Sequence, residues 1–481
     1  MTASPVRMRT LSLTVLLPAS AALLLGACAT APMADAALPT SSVLPALPAQ
    51  WSSPPPPAQA HTAAGLGIAE LDALVQAAHA QSPDLAAAVA RLRQADAVAR
   101  TAGAGLLPGV NATLQASRQA RAGGQAAAAG NHYGAALAAS YELDLWGRLG
   151  AEHASALALR EASAHDRDAV QIGLTAAVAQ GWLQLVGGRE RLAIAELNLH
   201  SAERILAVVE SRARAGAATA LEQAQQRGLV AAQRQGLEAQ RQQVQAAHTA
   251  LAVLLGQAEP PPVQARALPM AQAALPDAGT PTELLARRPD IAQAEQRLKA
   301  AQADVAAARA ALLPRISLSA GLATGGSGLA RVLDNPVYSL AAALAAPLFD
   351  GGRLAAGRDL AQARQAELLA QYRAAIVAAV GDVELALQSL AGTRAQRAAQ
   401  AQVVAQAQQA ARLAQSRYRA GAETLLTLLD AQRTLYAAQD TAAQLHQAEW
   451  LAQVALLRAL GGGWRAGAVD VAGAAAPEPR P

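Results

Sequence analysis

Several residue types are nearly missing from this chain. Of its 481 residues, Cys28 is the single cysteine, Phe349 the single phenylalanine and Lys299 the single lysine. One cysteine excludes an intrachain disulfide and a multi-cysteine zinc site. Aromatic residues make up only 2% although hydrophobic residues reach 53%, so the apolar content is mostly Ala and Leu. Compact cores draw on Phe, Tyr and Trp, whereas an excess of Ala, Leu, Gln and Arg favours long helices. Charged residues are 15% and the net charge is +4, too weak a bias for a nucleic-acid partner. The histidines (His61, His79, His132, His153, His165, His200, His248 and His446) show no metal-ligand spacing with acids or with cysteine. No phosphate-cradling glycine loop of the Walker or dinucleotide kind is present. These absences argue against an enzyme, a metal site or a bound cofactor.

Proline is absent from long stretches. The chain has 25 prolines, yet none falls in residues 109–259 or 348–476. Runs of that length suit uninterrupted helices, in which one proline would cost about 3 kcal/mol. Within the first run Leu185, Leu192, Leu199 and Leu206 recur every seven residues, with Gly188, Ala195, Ala202 and Val209 at the alternate seam positions. In the second, Ile376, Val380, Val383, Leu387 and Leu390 step by four and three. Both patterns are those of supercoiled, packed helices. A helix from Arg148 to Ala213 is about 100 Å long at 1.5 Å per residue, too long for one compact domain.

The sequence is written twice. Ser82-Pro83-Asp84-Leu85 returns as Arg288-Pro289-Asp290-Ile291, and Leu106-Leu107-Pro108 as Leu312-Leu313-Pro314, both 206 residues later. Ser211-Arg212-Ala213-Arg214-Ala215-Gly216-Ala217 returns as Ser416-Arg417-Tyr418-Arg419-Ala420-Gly421-Ala422, 205 residues later. Each copy also contains a stretch of period two. Val110, Ala112, Leu114 and Ala116 alternate with polar residues, and Tyr133, Ala135, Leu137, Ala139, Tyr141, Leu143 and Leu145 alternate through a second segment. The second copy repeats this with Ile316, Leu318, Ala320 and Leu322, then Tyr338, Leu340, Ala342, Leu344 and Leu348. These are two hairpins, at residues 108–146 and 314–349, whose strands of about 10–14 residues suit tilted membrane spans. Tyr133, Tyr141, Trp146, Tyr338 and Phe349 fall in them, as an aromatic girdle requires. Four strands cannot close a barrel, and an open edge in lipid leaves unpaired backbone groups at several kcal/mol each. Strands that span a membrane must therefore be shared among several chains.

The N-terminus reads as an export signal. Arg7 and Arg9 precede an apolar run over residues 11–25, and Leu25-Gly26-Ala27-Cys28 closes it. Small residues before the cysteine match lipoprotein processing, which predicts a covalent N-terminal lipid on Cys28 and removal of residues 1–27. Ala29 follows, with no Asp to favour retention at the inner membrane. Residues 28–60, with Pro54, Pro55, Pro56 and Pro57, form a lipidated tether. Residues 61–265 and 266–465 are the two repeats, and residues 466–481 are expected to be a disordered tail.

These phrases carry a resemblance. Tyr141-Glu142-Leu143-Asp144-Leu145-Trp146-Gly147-Arg148, Leu285-Ala286-Arg287-Arg288-Pro289-Asp290-Ile291 and Leu460-Gly461-Gly462-Gly463-Trp464 occur in an order and spacing that resembles the TolC-type outer-membrane efflux proteins. The closer resemblance is to the lipoprotein (NodT-type) branch serving resistance-nodulation-division pumps. It implies an α+β membrane protein: four strands contributed to a trimeric twelve-strand β-barrel, continued by a long antiparallel α-helical coiled-coil barrel. It further implies a homotrimer in the outer membrane that extends into the periplasm. Its expected partners are outer-membrane lipid, a periplasmic membrane-fusion adaptor and an inner-membrane resistance-nodulation-division pump. Such a trimer is a passive exit duct for drugs or other small toxic compounds.

Residue by residue, the resemblance implies adaptor-contact tips at Arg214, Gly216 and Thr219 and at Arg419, Gly421 and Thr424. It implies a periplasmic gate in which Asp430 is a ring acid, and Thr427 stands where related channels often carry a second acid. Tyr418 and Glu222 match two partners of an inter-helix clasp, and Glu423 replaces a position that can be basic. Two other readings stand beside this one: a channel of the same fold for type I protein secretion, and a periplasmic coiled-coil adaptor or structural lipoprotein with no barrel.

Overall fold

The structure, a computed structural model, describes residues 44–55, 66–120, 130–270 and 277–463. The chain divides into two units, Met1–Pro45 and Ala46–Pro481, and all the described helices and strands belong to the second. Cys28, the signal, the tail at 466–481, Trp464 and most of the glycine-rich 122–130 loop lie outside the described residues.

The second unit begins with α1 (Ala69–Gln81), α2 (Pro83–Ala104), β1 (Gly109–Gln119), β2 (Gly130–Leu143), α3 (Arg148–Arg214) and α4 (Ala220–Leu254). A segment containing the 3-10 turn Glu283–Ala286 leads to α5 (Pro289–Ala310) and β3 (Arg315–Gly326). After a second 3-10 turn, Leu329–Arg331, come β4 (Val337–Ala345), α6 (Arg353–Arg419) and α7 (Leu425–Ala459). The duplication read from short phrases holds for whole elements. Helices α2 and α5 have 22 residues each, α3 and α6 have 67, and α4 and α7 have 35. Pro83 and Pro289 each open their helix at the first turn, where the missing N–H leaves no bond unmade. Helix α1 is the exception, its place in the second copy being taken by the short turn Glu283–Ala286.

The strand-to-helix junctions are built alike. The Asp144 carboxylate accepts from the N–H groups of Leu149 (3.0 Å) and Gly150 (2.7 Å), while Asp350 accepts from those of Gly352 (3.0 Å) and Leu354 (2.9 Å). Each carboxylate satisfies donors that a helix start leaves free, and its charge suits the positive end of the helix dipole. Gly147 and Gly352 hold the left-handed backbone that turns a strand into a helix, at φ 71° and 84°. Trp146 ties the first junction to the second repeat, its indole N–H donating to the Pro314 carbonyl at 2.6 Å.

The main core joins Trp182, Leu183, Leu185 and Val186 of α3 to Leu71 and Ala78 of α1, Leu251 of α4 and Trp450 and Val454 of α7. The segment between the repeats is strapped over it. Arg189 donates to the carbonyls of Val263 (2.7 Å) and Ala265 (2.9 Å), and the Trp450 indole to that of Pro269 (3.2 Å). Between α6 and α7, Glu449 is buried under Arg394 (3.1 Å) and Arg397 (2.6 Å). Of the expected seams, Leu185, Ala202 and Val209 are buried in α3, and Ile376, Val383, Leu387 and Leu390 in α6. Toward the far end of α3 the buried line runs through Ala202, Ile205 and Val209, with Leu199 and Leu206 at its edge. There α3 packs against α7 as well as α4, and two partners widen the apolar stripe beyond one seam.

Candidate functional site

The four strands form one antiparallel sheet in the order β1-β2-β3-β4. Its register sorts residues by polarity. Ala112, Leu137, Leu322 and Tyr338 lie side by side, as do Val110, Ala139, Ala320 and Leu340. One residue along, and hence on the other face, Asn111, Ala138, Gly321 and Ser339 form a row. The first face is apolar through the middle of the sheet, with Arg118, Asn131 and Thr324 on it only toward the loop end, and it is bare: Leu114 is 87% exposed and Leu340 77%. The opposite face carries small and uncharged polar residues, including Thr113, Gln115, Ser117, Ser140, Ser317 and Ser319. Its charged members, Glu142 and Arg315, sit at the helix end, where Glu142 is paired with Arg148 at 2.8 Å. Among the described residues the outer edges of β1 and β4 pair with nothing.

Strand β4 is shorter than the alternation implied, ending at Ala345 rather than Leu348. Pro336 precedes it and Pro347 lies just beyond it, and a residue without an N–H cannot extend the ladder. The short strand also moves one aromatic. Tyr338 lies level with Leu137 in the middle of the sheet instead of at its margin. Tyr141, Trp146 and Phe349 remain near the helix junctions, and Tyr133 near the loop end.

At the other end, α3 turns into α4 and α6 into α7. Gly216 and Gly421 adopt φ 72° and 73°, and the N–H of the next residue returns to the last helical turn, Ala217 to Arg212 (2.8 Å) and Ala422 to Arg417 (2.9 Å). Thr219 and Thr424 then cap the following helices, each hydroxyl accepting an N–H, from Glu222 at 3.2 Å and from Thr427 at 3.3 Å. Arg214, Gly216, Thr219, Arg419, Gly421 and Thr424 are all exposed, and so is Asp430. Thr427 uses its hydroxyl locally, donating to Glu423 at 3.1 Å.

The two turns share a core. Ala202, Ile205 and Val209 of α3 and Leu229 and Val230 of α4 meet Ala414 and Tyr418 of α6 and Leu425, Leu428, Leu429 and Tyr436 of α7. Tyr418 is 2% exposed, and among the described residues its hydroxyl has no hydrogen-bond partner. Burial pushes this phenol above its ordinary pKa, the charge of Glu222 pushes the same way, and Arg212 opposes both. The clasp expected between Tyr418 and Glu222 is not made within the chain. Glu222 closes a capping box instead, accepting from the Thr219 N–H at 2.6 Å and hydroxyl at 3.1 Å. The residue that does hold Tyr418 is Arg212, which sequence reasoning passes over. Its guanidinium lies 4.6 Å over the ring, and its Nη1 donates to the Tyr418 carbonyl.

A sheet with one bare apolar face and two open edges, carried on paired 67-residue helices, is the protomer of a shared barrel. The family model described as outer membrane efflux protein matches residues 74–257 and 280–462, one stretch in each repeat. The chain belongs to that family.

The pyoverdine export outer membrane protein OpmQ of Pseudomonas aeruginosa is 48% identical, over 93% of this chain and 96% of its own length. The outer membrane protein OprJ of the same organism is 35% identical, over 83% of this chain and 85% of its own. Among solved structures, a membrane protein from Pseudomonas aeruginosa matches with a TM-score of 0.78 and 34% identity, covering 85% of this chain and all of that one. The chain is therefore an outer-membrane channel subunit of a tripartite efflux system, reaching into the periplasm. It acts as a homotrimer with an adaptor protein and an inner-membrane pump. Closing one barrel from three such sheets would set β1 of one copy beside β4 of the next and turn the apolar face to lipid. Family members are channels, which work without a cofactor, and not enzymes. The type I secretion reading is not favoured, and a barrel-free structural lipoprotein does not fit.

Proposed function

We propose that this channel is the exit duct for pyoverdine or compounds of its kind, delivered by the inner-membrane pump through the adaptor. The observation carrying this reading is the likeness to pyoverdine export proteins along nearly the whole chain, well above that to OprJ. The lumen-side row of small uncharged residues from Asn111 to Ser339 supports it, since such a wall neither binds nor repels a bulky solute by charge. Expressing the chain in Pseudomonas aeruginosa lacking OpmQ should restore pyoverdine to the culture medium. Pyoverdine held in the periplasm, while sensitivity to drugs is relieved, would assign the duct to drugs instead.

The proposal extends to the individual sites. Residues 1–27 are removed, and Cys28 carries a lipid tethered by residues 28–60 ahead of the repeats at 61–265 and 266–465. The turns at Arg214, Gly216 and Thr219 and at Arg419, Gly421 and Thr424 meet the adaptor. Asp430 repeats three times about the threefold axis and narrows the closed end, with Tyr418, Glu222 and Thr427 beside it. Cys28→Ser should abolish lipid labelling and leave residues 1–27 attached, while the barrel still holds the chain in the membrane. An unmodified Cys28 at the start of the mature wild-type chain, seen by intact mass, would refute the anchor.

A further inference from the structure

We propose that α6 of each copy packs along α2 of the next, with Leu360 against Val98 of the partner subunit and Glu367 beside Arg91 of the partner subunit, and that these two pairs carry recognition between copies in the helical part of the trimer. The trimer itself fixes the occupant as a second copy. Helix α2 packs on α3, α3 on α5 and α5 on α6, so α2 and α6 end the row within one chain. They also adjoin the two open edge strands, α2 leading into β1 and α6 following β4. A ring that closes β4 on the next β1 therefore brings α6 to the next α2.

The duplication supplies the pattern. Helices α3 and α5 are where the first repeat meets the second inside a chain; α6 and the next α2 are where the second meets the first between chains. Gln293 of α5 donates to Asp166 of α3 at 2.9 Å and sets the level of these antiparallel helices. At helical steps from Gln293, Ala300, Ala307 and Ala310 are buried on the same face of α5. Their counterparts in α2, 206 residues earlier, are Gln94, Thr101 and Ala104, and all three are exposed. On the Asp166 face of α3, Ser155, Ala158 and Ala162 are buried. Their counterparts in α6, 205 residues later, are Leu360, Ala363 and Glu367, again all exposed. Each face is covered in one repeat and bare in the other.

The bare faces differ in chemistry from the covered ones. Eleven residues from the Asp166–Gln293 bond, Ser155 comes level with Asp304. The same offsets set Leu360 level with Val98, two large apolar side chains that a single chain leaves 72% and 58% exposed. Four residues from the bond, Ala162 is level with Arg297, and the offsets set Glu367 level with Arg91. Where the chain meets itself there is a serine beside an acid and an alanine beside an arginine. Where it meets its neighbour there is an apolar pair and an ion pair. Within one chain Glu367 accepts from the Gln371 amide at 2.9 Å, and Arg91 holds Asp166 at 3.2 Å with 55% of its side chain still exposed. Each has room for a second partner of opposite charge.

The test is disulfide cross-linking in outer-membrane fractions, read on non-reducing denaturing gels. Val98→Cys combined with Leu360→Cys should shift the chain to a covalent trimer on oxidation, since each copy would be tied to the next. Ser155→Cys combined with Asp304→Cys, the same pair inside the chain, should stay monomer-sized, as should each single variant. Glu367→Arg should lower the temperature at which the trimer dissociates, and adding Arg91→Glu should move it back toward wild type. If the Val98→Cys, Leu360→Cys protein stays monomer-sized, α6 does not lie on the next α2 and the proposal fails. If it cross-links but Arg91→Glu gives no recovery, the packing stands and the ion pair is overturned.

Discussion

Arginine in place of Leu137 should prevent the trimer from settling in the membrane, while arginine in place of the adjacent Ala138 should be tolerated. Leu137 is central in the 14-residue β2, opposite Ala112 on one side and Leu322 on the other. It stands on the apolar face, 49% exposed in a single chain, and an apolar face of a shared barrel belongs against lipid. A guanidinium there costs about 2–4 kcal/mol per chain near the midplane, and threefold symmetry imposes it three times. Ala138 stands between Asn111 and Gly321 on the polar face, where an added charge remains in water. Heat-modified gel mobility of outer-membrane fractions separates the two variants: trimer lost at 137 and kept at 138. Equal loss at both positions would mean that the apolar face does not meet lipid.

Much of this architecture is legible in the residues themselves, for local reasons. A 67-residue helix needs only an uninterrupted apolar period and no proline, and both are visible in sequence. Turn glycines at 216 and 421, and alternation in β1 to β4, are likewise local signals. The end of β4 is equally local, since Pro347 marks it, but the alternation of side chains continues past the missing N–H and hides it. Glu222 misleads in the same way at the tip. Thr219 and Glu222 are spaced as a capping box, and that local role competes with any clasp to a distant tyrosine. Arg212 is hidden for a different reason. Its partner is 206 residues away, and only the folded pairing of the two copies brings them together. The strap over the core by residues 263–269 is non-local in the same way. No period or motif marks a segment held by Arg189 and Trp450 through its carbonyls.

Gly461→Ala should be the most damaging of the glycine substitutions outside the membrane, for a reason the duplication makes testable. Three left-handed glycines differ only in what surrounds them. Gly421, at φ 73°, has nothing within 4 Å of a Cβ built on it, so an alanine there meets only the backbone cost of about 1–2 kcal/mol. Gly256 closes α4 at φ 72°, and a Cβ would lie 2.8 Å from the Gln81 carbonyl oxygen. Gly461 is its counterpart in the second repeat, ending α7 at φ 89°, and a Cβ there would lie inside the Arg287 carbonyl oxygen and 2.9 Å from its carbon. That carbonyl is restrained through its neighbour. The next residue, Arg288, is held by Asp290 (2.7 Å), Asp382 (3.0 Å) and the Ala459 carbonyl (3.3 Å), which ties α5, α6 and α7 together. Overpacking adds to the backbone strain, for about 2–5 kcal/mol per chain. Thermal dissociation of the detergent-solubilised trimer should rank the variants below wild type, with Gly461→Ala lowest, Gly256→Ala between and Gly421→Ala highest. A Gly461→Ala trimer as heat-resistant as wild type would show that Arg287 moves freely, and that the Arg288 bridge does not fix the start of the second repeat.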